Sequence, residues 1–352
     1  MKSKKIRVLH ILNSSKYSGA ENVVINIMEN TKSDCESAYL SPVGSIGSYL
    51  NERGLTYIPV DNLSISNIKK EMKEFRPQII HAHDFRAGIL TVLTGTKLPI
   101  INHLHNNSPW MKRYGIYSFV YGICAMRLNQ ILTVSDSVMN EYVFGNLLKR
   151  RSLTIGNPFD ADKVRKMAGK ADLQNQSDII FLGRLSPPKR PFFFLEIVKE
   201  IKKVMPAIKI SVVGEGELKQ KFRQAIKEMG LTDNVKTYGF LDNPYGLLKN
   251  AKVMCMPSAW EGFGLAAVEA LTLGVPVVCS GAGGLSGIVS EKNGKICYDN
   301  ISDYVAEIVK LLTDESYWNA KSTGATKASI KFDNSKMYNK KILEIYRNLY
   351  SI

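Results

Sequence analysis

The sequence predicts an α/β protein made of two doubly wound units in tandem, and three observations support this fold class. Short apolar stretches rich in β-branched residues alternate with amphipathic helical stretches, as in a parallel sheet covered by helices. The alternation restarts after Asn157-Pro158, which predicts a hinge near residues 156–160. The chain of 352 residues is also long for one core, so two domains are the natural expectation.

The individual elements follow from this alternation. Six strand-like stretches precede the hinge and six follow it: IRVLHIL, SAYLSPV, TYIPV, QIIHAHD, LPIINHLH and QILTVS, then DIIFLGRL, KISVVG, VKTYGF, VMCMPS, PVVCS and KICY. Helical spacing occurs in GAENVVINIMEN, SNIKKEMKEF and PFFFLEIVKEIKKV. The final helix should present Ile342, Ile345, Tyr346 and Leu349 on one face. We expect domains at 1–157 and 158–332, with a helix at 333–352 that packs back towards the first.

Composition and charge limit the class of protein. Hydrophobic residues make up 45% and charged residues 22% of the chain, as in a globular protein. Five scattered cysteines without CxxC spacing favour a reducing compartment over a disulfide framework or a zinc site. The net charge of +15 indicates an anionic partner. Because no zinc-finger spacing, RNA-binding aromatic motif or basic heptad accompanies this charge, nucleic acid is not expected.

The histidines are confined to strand-like stretches of the first half. They are His10, His81, His83, His103 and His105. Two H-x-H pairs put both rings of a pair on one strand face, which raises a metal hypothesis. The alternative is that imidazole rings simply occupy half-buried strand ends. No motif for a third ligand accompanies the pairs, so we expect no metal.

The most informative stretch is MPSAWEGFGLAAVEALTLGVPVVCS, residues 256–280. A buried strand is expected to end at Pro257, a glycine-containing loop follows, and a helix begins near Leu265. Free N–H groups and the helix dipole make such a helix start an anion site. Glu261 and Glu269 beside it suit sugar and ribose hydroxyls, because a carboxylate accepts two hydroxyl hydrogen bonds. The alternative is a surface loop with a salt-bridged glutamate; the glycines and the eight-residue spacing favour the ligand site.

This stretch resembles the E-x7-E motif of glycosyltransferase family 4, a retaining family with the GT-B fold. Other segments resemble the family in the same order: SGAE at 18–21, GNPFD at 156–160, FLGRLSPPKRP at 181–191, GEGELKQKF at 214–222 and YGFLDN at 238–243. Ser18 stands where the family has a glycine, and Gly287 stands where a glutamate is frequent. The resemblance covers nearly the whole chain.

The resemblance implies two facing Rossmann-like domains with a cleft between them. The first would bind the acceptor and the second the nucleotide sugar. Glu261 would bind hydroxyls of the donor sugar, and Glu269 would bind the ribose. Arg184 and Lys189 would hold the diphosphate, where two cations stabilise the charge that develops as it departs.

The resemblance also implies roles for backbone groups and for the first domain. Amides at the helix start would add to the phosphate site, and the backbone near Phe240 would contact the base. Gly19 would let a loop approach the phosphates, and His105 would lie at the donor sugar. The implied catalytic residues are thus His105, Arg184, Lys189 and Glu261, and the implied donor-binding residues are Gly19, Phe240, Phe263, Gly264, Leu265 and Glu269.

The expected function is transfer of a hexose or N-acetylhexosamine from an NDP-sugar to a saccharide acceptor, with retention and without a metal cofactor. UDP is the expected nucleotide, on family frequency. The alternatives are an NDP-sugar epimerase of the same fold, or a non-catalytic basic scaffold that binds membranes or nucleic acid. Intact Arg184 and Lys189 beside the glutamate pair favour a transferase. Asp160-Ala161-Asp162 is expected to contain a helix N-cap and not a D-x-D metal motif.

A basic and aromatic segment, residues 106–128, suggests where the acceptor comes from. Its apolar run between residues 113 and 127 is shorter than the roughly 20 residues that span a bilayer, and the N-terminus does not have the pattern of a signal peptide. Aromatic residues beside Lys112, Arg113 and Arg127 suit a helix in an anionic membrane interface, although a core helix with snorkelling cations is equally consistent. We expect a cytoplasmic protein, peripheral at the inner face of the membrane, with a polyprenyl-diphosphate-linked acceptor in surface polysaccharide biosynthesis.

Overall fold

The computed structural model describes residues 5–16, 19–169 and 176–351, so the glycine replacement at Ser18 lies outside the described residues. The chain forms two compact units. The first comprises Met1–Pro158 with Asn334–Ile352, and the second comprises Phe159–Asp333. These boundaries lie one residue beyond the positions that the sequence suggests.

The described part of the first unit contains seven strands and eight helices. The strands are β1 (Ile6–Leu12), β2 (Cys35–Pro42), β3 (Thr56–Val60), β4 (Ile79–His83), β5 (Ile100–Leu104), β6 (Gln130–Thr133) and β7 (Ser152–Thr154) within the described residues. The helices described there are α1 (Gly19–Thr31), α2 (Ile46–Glu52), α3 (Ile65–Phe75), α4 (Phe85–Leu93), α5 (Ile116–Ala125), α6 (Asp136–Asn140), α7 (Gly145–Leu148) and, after the second unit, α16 (Ser335–Tyr350).

The second unit contains six strands and eight helices in its described part. The strands are β8 (Ser177–Leu182), β9 (Ile210–Val213), β10 (Val235–Gly239), β11 (Ala251–Met256), β12 (Val277–Cys279) and β13 (Gly294–Ile296). The helices are α8 (Ala161–Ala168), α9 (Pro191–Val204), α10 (Lys219–Glu228), α11 (Tyr245–Lys249), α12 (Leu265–Thr272), α13 (Leu285–Ile288), α14 (Ile301–Thr313) and α15 (Glu315–Ser329).

The two sheets share one winding pattern. Their strand orders are β3-β2-β1-β4-β5-β6-β7 and β10-β9-β8-β11-β12-β13, and every strand pair described is parallel. The predicted α/β class with two parallel sheets is therefore confirmed. The order reverses beside β1 and again beside β8. Loops at the carboxyl ends of the strands diverge at such a reversal and leave a crevice for ligands.

The last helix completes the core of the first unit. Tyr338, Ile342 and Tyr346 of α16 are buried in one cluster with Val8 of β1. The Tyr346 hydroxyl lies 2.7 Å from Nδ1 of His81 on β4. Residues Ile345 and Leu349 pack against the same cluster, so the four-residue apolar face read from the sequence contacts this sheet.

Two further expectations have clear outcomes. The Asp160 carboxylate accepts a hydrogen bond from the Lys163 N–H at 2.8 Å, which confirms that it caps α8.

Residues 106–128 do not form one helix: a short 3₁₀ turn, Pro109–Lys112, is followed by extended Gly115 and then by α5. No helix in the described part of the chain is long and apolar enough to cross a membrane.

The five histidines form one cluster on a single face of the first sheet, which we call the histidine cluster. Its members are His10 on β1, His81 and His83 on β4, His103 on β5 and His105 directly after β5. Ring centroids of adjacent members lie 4.1 to 5.5 Å apart. Four of the rings are fully buried, so protonating them in the folded state is costly.

The histidine cluster should make folding acid-sensitive. Burial lowers the pKa of His10 and His105 to about 3 and that of the other three rings well below its ordinary value. Between pH 6.5 and 3 the unfolded chain therefore binds protons that the folded chain does not. The free energy of unfolding decreases as the pH is lowered through this range. Asp84 and Glu269, whose pKa values burial raises to about 6 and about 7, oppose this change.

Because five histidine rings destabilise the fold at low pH and only two carboxyl groups oppose them, the free energy of unfolding should decrease as the pH falls. Each additional proton that the unfolded chain binds contributes up to about 1.4 kcal/mol per pH unit. Urea unfolding at pH 7.5 and pH 5.5 measures it. His103→Phe, which keeps a flat ring, should reduce the slope by one proton. A free energy of unfolding that is equal at both pH values contradicts the expectation.

Candidate functional site

The loop after β11 is shaped by glycines that admit no side chain. Gly264, directly before α12, has φ 97°, and a Cβ there would lie 2.8 Å from Cδ2 of Leu285. A Cβ on Gly284 would lie 2.3 Å from the Phe263 carbonyl oxygen, and the Gly284 N–H donates to the Glu261 carbonyl at 3.2 Å. Close backbone packing therefore fixes the loop that carries Glu261.

A second loop, after β8, contacts the first. Its 3₁₀ turn, Pro187–Lys189, places Lys189 Nζ in contact with a carboxylate oxygen of Glu261. The two side chains are only 24% and 13% exposed. The Ala259 N–H also donates to the Pro188 carbonyl at 2.7 Å. Because β8 and β11 are neighbours in the sheet, two segments that are distant in sequence meet at one strand edge.

Arg184 lies at the start of the same β8 loop. The turn after β9 packs tightly against it: a Cβ on Gly214 would lie 2.0 Å from the Gly183 carbonyl oxygen. The Arg184 Nε lies 3.5 Å from a carboxylate oxygen of Glu217, and about half of each side chain is exposed. An exposed ion pair of this kind is worth at most about 1 kcal/mol, so exchanging Glu217 for another anion would cost little.

Glu269 lies on α12, one turn beyond its start. The Tyr245 hydroxyl donates a hydrogen bond to Glu269 Oε1 at 3.0 Å. Burial raises the pKa of Glu269 to about 7, and the hydrogen bond from Tyr245 partly offsets this effect. The carboxyl group therefore titrates near neutral pH, and hydroxyl donors from a ligand would favour its ionised form.

The start of α12 offers backbone donors. The N–H groups of Phe263, Gly264 and Leu265 have no acceptor within the described residues. The first N–H groups of a helix lack intrahelical partners, and the helix dipole makes this end positive. In sequence, these amides lie between Glu261, which contacts Lys189, and Glu269 on α12; we call Lys189, the two glutamates and the three amides the corner.

The remaining predicted site residues belong to other elements of the chain. Phe240 follows β10 in the second unit and is 50% exposed. Gly19 starts α1 in the first unit, and a Cβ there would meet nothing within 4 Å among the described atoms. His105 follows β5 in the first unit and belongs to the histidine cluster. Of the predicted side chains, the structure brings Lys189 and Glu261 into direct contact, and Arg184 pairs with Glu217 instead.

Sequence reasoning missed the partners of the predicted residues. Tyr245 donates a hydrogen bond to Glu269, and Glu217 forms an ion pair with Arg184. The Gly284 N–H donates to the carbonyl of Glu261. Glu217 was within the recognised GEGE segment, so its charge was a usable signal. Tyr245 carried no local signal, because its role depends on how distant segments pack.

The fold and these loops define a glycosyltransferase of the GT-B fold class. Among solved structures, the chain is similar to HepE from Anabaena in complex with UDP-glucose, with a TM-score of 0.85, 20% identity, and coverage of 97% of this chain and 100% of that chain. This likeness establishes the fold.

The chain belongs to the family of glycosyl transferases group 1, whose family model matches residues 163–345. It is 25% identical to an uncharacterized 41.2 kDa protein in the cps region of Klebsiella pneumoniae, over 97% of this chain and 100% of the relative. It is 24% identical to the UDP-Gal:alpha-D-GlcNAc-diphosphoundecaprenol alpha-1,3-galactosyltransferase of Escherichia coli, over 90% of each. The expectation of a transferase enzyme is thus confirmed.

Proposed function

We propose that this glycosyltransferase moves a hexose or N-acetylhexosamine from a UDP-sugar to a lipid-linked saccharide in surface polysaccharide synthesis, with retention of configuration. The observation that carries the proposal is the corner formed by Lys189, Glu261, Glu269 and the free amides at the start of α12. It offers positive charge for phosphates and carboxylates for hydroxyls within one set of loops. A nucleoside diphosphate sugar presents these two kinds of group.

The ligand-free contacts suggest how the donor is received. Lys189 neutralises Glu261 in a largely enclosed place, so neither charge is left alone. Phosphate oxygens would replace Glu261 as the partner of Lys189, and sugar hydroxyls would replace Lys189 as the partner of Glu261. Glu269 would accept hydrogen bonds from the two ribose hydroxyls. The bound donor of HepE, UDP-glucose, supports UDP as the nucleotide.

For the reaction we propose attack on the same face from which the diphosphate departs. In this route the acceptor hydroxyl bonds to the anomeric carbon as the bond from that carbon to the phosphate oxygen breaks. The departing phosphate oxygen takes the acceptor proton. Arg184 and Lys189 stabilise the negative charge that grows on the diphosphate. None of these steps requires a metal ion.

Two observations support a lipid-linked acceptor: the name of a relative from Escherichia coli, and an exposed apolar surface on α5. The Escherichia coli relative is named for a diphosphoundecaprenol-linked acceptor. In this chain, the inner face of α5 is buried through Ser118, Tyr121, Cys124 and Ala125. Its outer face, which we call the α5 face, is apolar and exposed: Ile116, Tyr117, Phe119, Val120, Ile123 and Met126.

Cations flank the α5 face. Arg113 and Arg127 are exposed at its two ends. The Arg151 guanidinium donates to the Leu128 carbonyl at 2.9 Å, which places the basic run 149–151 beside the end of α5. One acid is near, since Glu141 pairs with Lys112 at 3.1 Å. An exposed apolar helix face with cations at its rim fits the interface of an anionic bilayer, so we propose peripheral binding at the cytoplasmic leaflet.

The Glu269 assignment predicts a pH-dependent donor affinity. Ionised Glu269 is the form that accepts ribose hydrogen bonds, and its pKa of about 7 means that affinity falls as the pH drops below 7. Glu269→Gln should weaken UDP binding about tenfold or more at pH 8, since a hydrogen bond to a charged group is worth ~1.5–3 kcal/mol. Calorimetry with UDP at pH 6, 7 and 8 measures both effects.

Titration of UDP itself is common to all variants, so it cancels in the comparison. Exposed Glu228 in the same unit provides the matched control, and Glu228→Gln should behave as the wild type. The Glu269→Gln protein should lose the part of the pH dependence that comes from the enzyme. Parallel pH profiles for Glu269→Gln and the wild type would remove Glu269 from the ribose site.

Arg184→Ala and Lys189→Ala should each lower kcat about a hundredfold, because they act on charge that develops in the transition state. UDP affinity should weaken much less. Release of UDP from a panel of UDP- and GDP-sugars measures turnover. Arg165→Ala and Lys203→Ala, which remove exposed, ion-paired cations of the same unit, are the controls. Wild-type turnover in both test variants contradicts the assignment, and no turnover with any donor contradicts the proposed function.

Vesicle sedimentation tests the α5 face. Binding should need anionic lipid and weaken with salt, since each cation near the surface contributes about 1 kcal/mol. Ile123→Ser should reduce binding, whereas Val204→Ser, which changes a similarly exposed aliphatic residue of the second unit, should not. Equal sedimentation with neutral and anionic vesicles at low salt would favour a soluble acceptor.

A further inference from the structure

Two residues of the second unit have a backbone conformation that their side chains disfavour. Arg190 has φ 49° and ψ 53°, and Tyr298 has φ 48°. In this left-handed region, the Cβ of any residue other than glycine crowds the backbone carbonyl oxygen. Arg190 also precedes Pro191, and a residue before proline prefers an extended conformation. The backbone of Arg190 is therefore strained, and contacts with its surroundings must maintain it.

Arg190 stands where a turn becomes a helix. Its N–H donates to the Pro187 carbonyl at 3.1 Å and closes the 3₁₀ turn Pro187–Lys189. Its carbonyl accepts a hydrogen bond from the Phe194 N–H at 3.1 Å, at the start of α9. These two bonds fix the direction in which the chain leaves the turn. A change in the backbone of Arg190 would therefore shift the turn relative to α9, and Lys189 is the last residue of that turn.

The side chain of Arg190 is anchored at two places. Its guanidinium forms an ion pair with the carboxylate of Asp299, in the loop after β13. The central guanidinium carbon also lies 4.1 Å from the ring centroid of Phe193, a favourable position for a cation. Phe193 packs edge-on against the buried ring of Tyr304 on α14, with centroids 5.9 Å apart. The guanidinium is thus fixed to the core of the second unit, and the side chain is only 26% exposed.

We propose that the ion pair between Arg190 and Asp299 is a positioning device for Lys189. The anchored side chain holds the backbone of Arg190 in its left-handed conformation, and this conformation fixes the turn that places Lys189 against Glu261. Arg190 is a positioning residue and does not itself touch the substrate. The action of Lys189 on the diphosphate rests on the proposed function. The effect of the ion pair on the position of Lys189 does not.

Direct binding of a phosphate by Arg190 is the competing explanation. In that case, the guanidinium leaves Asp299 and contacts the donor. Substitutions at Arg190 separate the two explanations. Glycine adopts positive φ without a crowding Cβ, so Arg190→Gly removes the cation but permits the same turn. Arg190→Ala also removes the cation, but it keeps the crowding Cβ without the anchors that compensate for it.

Chemical labelling of Lys189 provides the first test and requires no turnover. Its side chain is 24% exposed and paired with Glu261, so an amine-acetylating reagent should modify it slowly. Mass spectrometry of protease fragments measures the rate. Arg190→Ala should raise the rate severalfold, and Arg190→Gly should leave it unchanged. Asp299→Ala, which removes an exposed partner and leaves the fold intact, should act in the same direction as Arg190→Ala.

Arg76→Ala is the matched control for the labelling. Arg76 has φ 52° at the end of α3 in the first unit, so this variant places the same strain on a left-handed arginine elsewhere in the chain. The labelling rate of Lys189 should equal that of the wild type. An unchanged rate in both Arg190→Ala and Asp299→Ala contradicts the proposal, as does an equal increase in Arg190→Gly or Arg76→Ala.

Turnover then separates positioning from direct binding. Measured with a UDP-sugar, Arg190→Ala should lower kcat about tenfold with little change in KM, because displacement of a catalytic group slows the reaction. Arg190→Gly should retain the kcat of the wild type. In a Lys189→Ala background, Arg190→Ala should cause no further loss, since the two changes act through one group.

Two results would assign Arg190 a direct role and overturn the proposal. One is a loss of kcat in Arg190→Gly equal to that in Arg190→Ala, and the other is additive losses in the double variant with Lys189→Ala. If the labelling behaves as expected but the wild type transfers no sugar, the proposed function fails while the positioning of Lys189 stands.

Discussion

The reversal of strand order beside the first strand of each sheet is the constraint on which the rest of the molecule depends. β1 and β8 each lie between a strand that precedes the reversal and one that follows it. Their carboxyl ends are therefore the places where neighbouring loops turn away from each other. In the second unit, this reversal brings the loop after β8 against the loop after β11. In the first unit, it brings the rings of β1 and β4 together.

Within the second unit, backbone packing positions the charged groups. Gly214, Gly216 and Gly284 each stand where a Cβ would come within 2.3 Å of a carbonyl oxygen of an adjoining loop. Such contacts leave little freedom to the loops, so Lys189 and Glu261 meet at a defined point. The two charges satisfy each other in a place with little water. Lys189 and Glu261 thus compensate each other, and the corner retains both kinds of group that a sugar nucleotide needs.

Much of the fold could be predicted from the sequence, because strands buried on both faces appear as apolar runs. Contacts between residues on different strands could not be predicted in this way. Lys189 and Glu261 are 72 residues apart, and only the adjacency of β8 and β11 brings them together. Alternation along a strand placed each H-x-H pair on one face, but joining both pairs with His10 required the order β1-β4-β5. The break at Gly115 was missed because apolar composition alone does not show where a helix begins.

The return of α16 to the first unit has a consequence for biosynthesis. A ribosome releases the chain from its N-terminus, so all of the second unit emerges before Tyr338, Ile342 and Tyr346 are available to the first. Until then, the sheet face of β1 and β4 lacks part of its apolar cover. The second unit, continuous in sequence, can fold as soon as it leaves the exit tunnel. The half made first is therefore the half completed last, and chains interrupted during translation leave an apolar sheet surface open to chaperones.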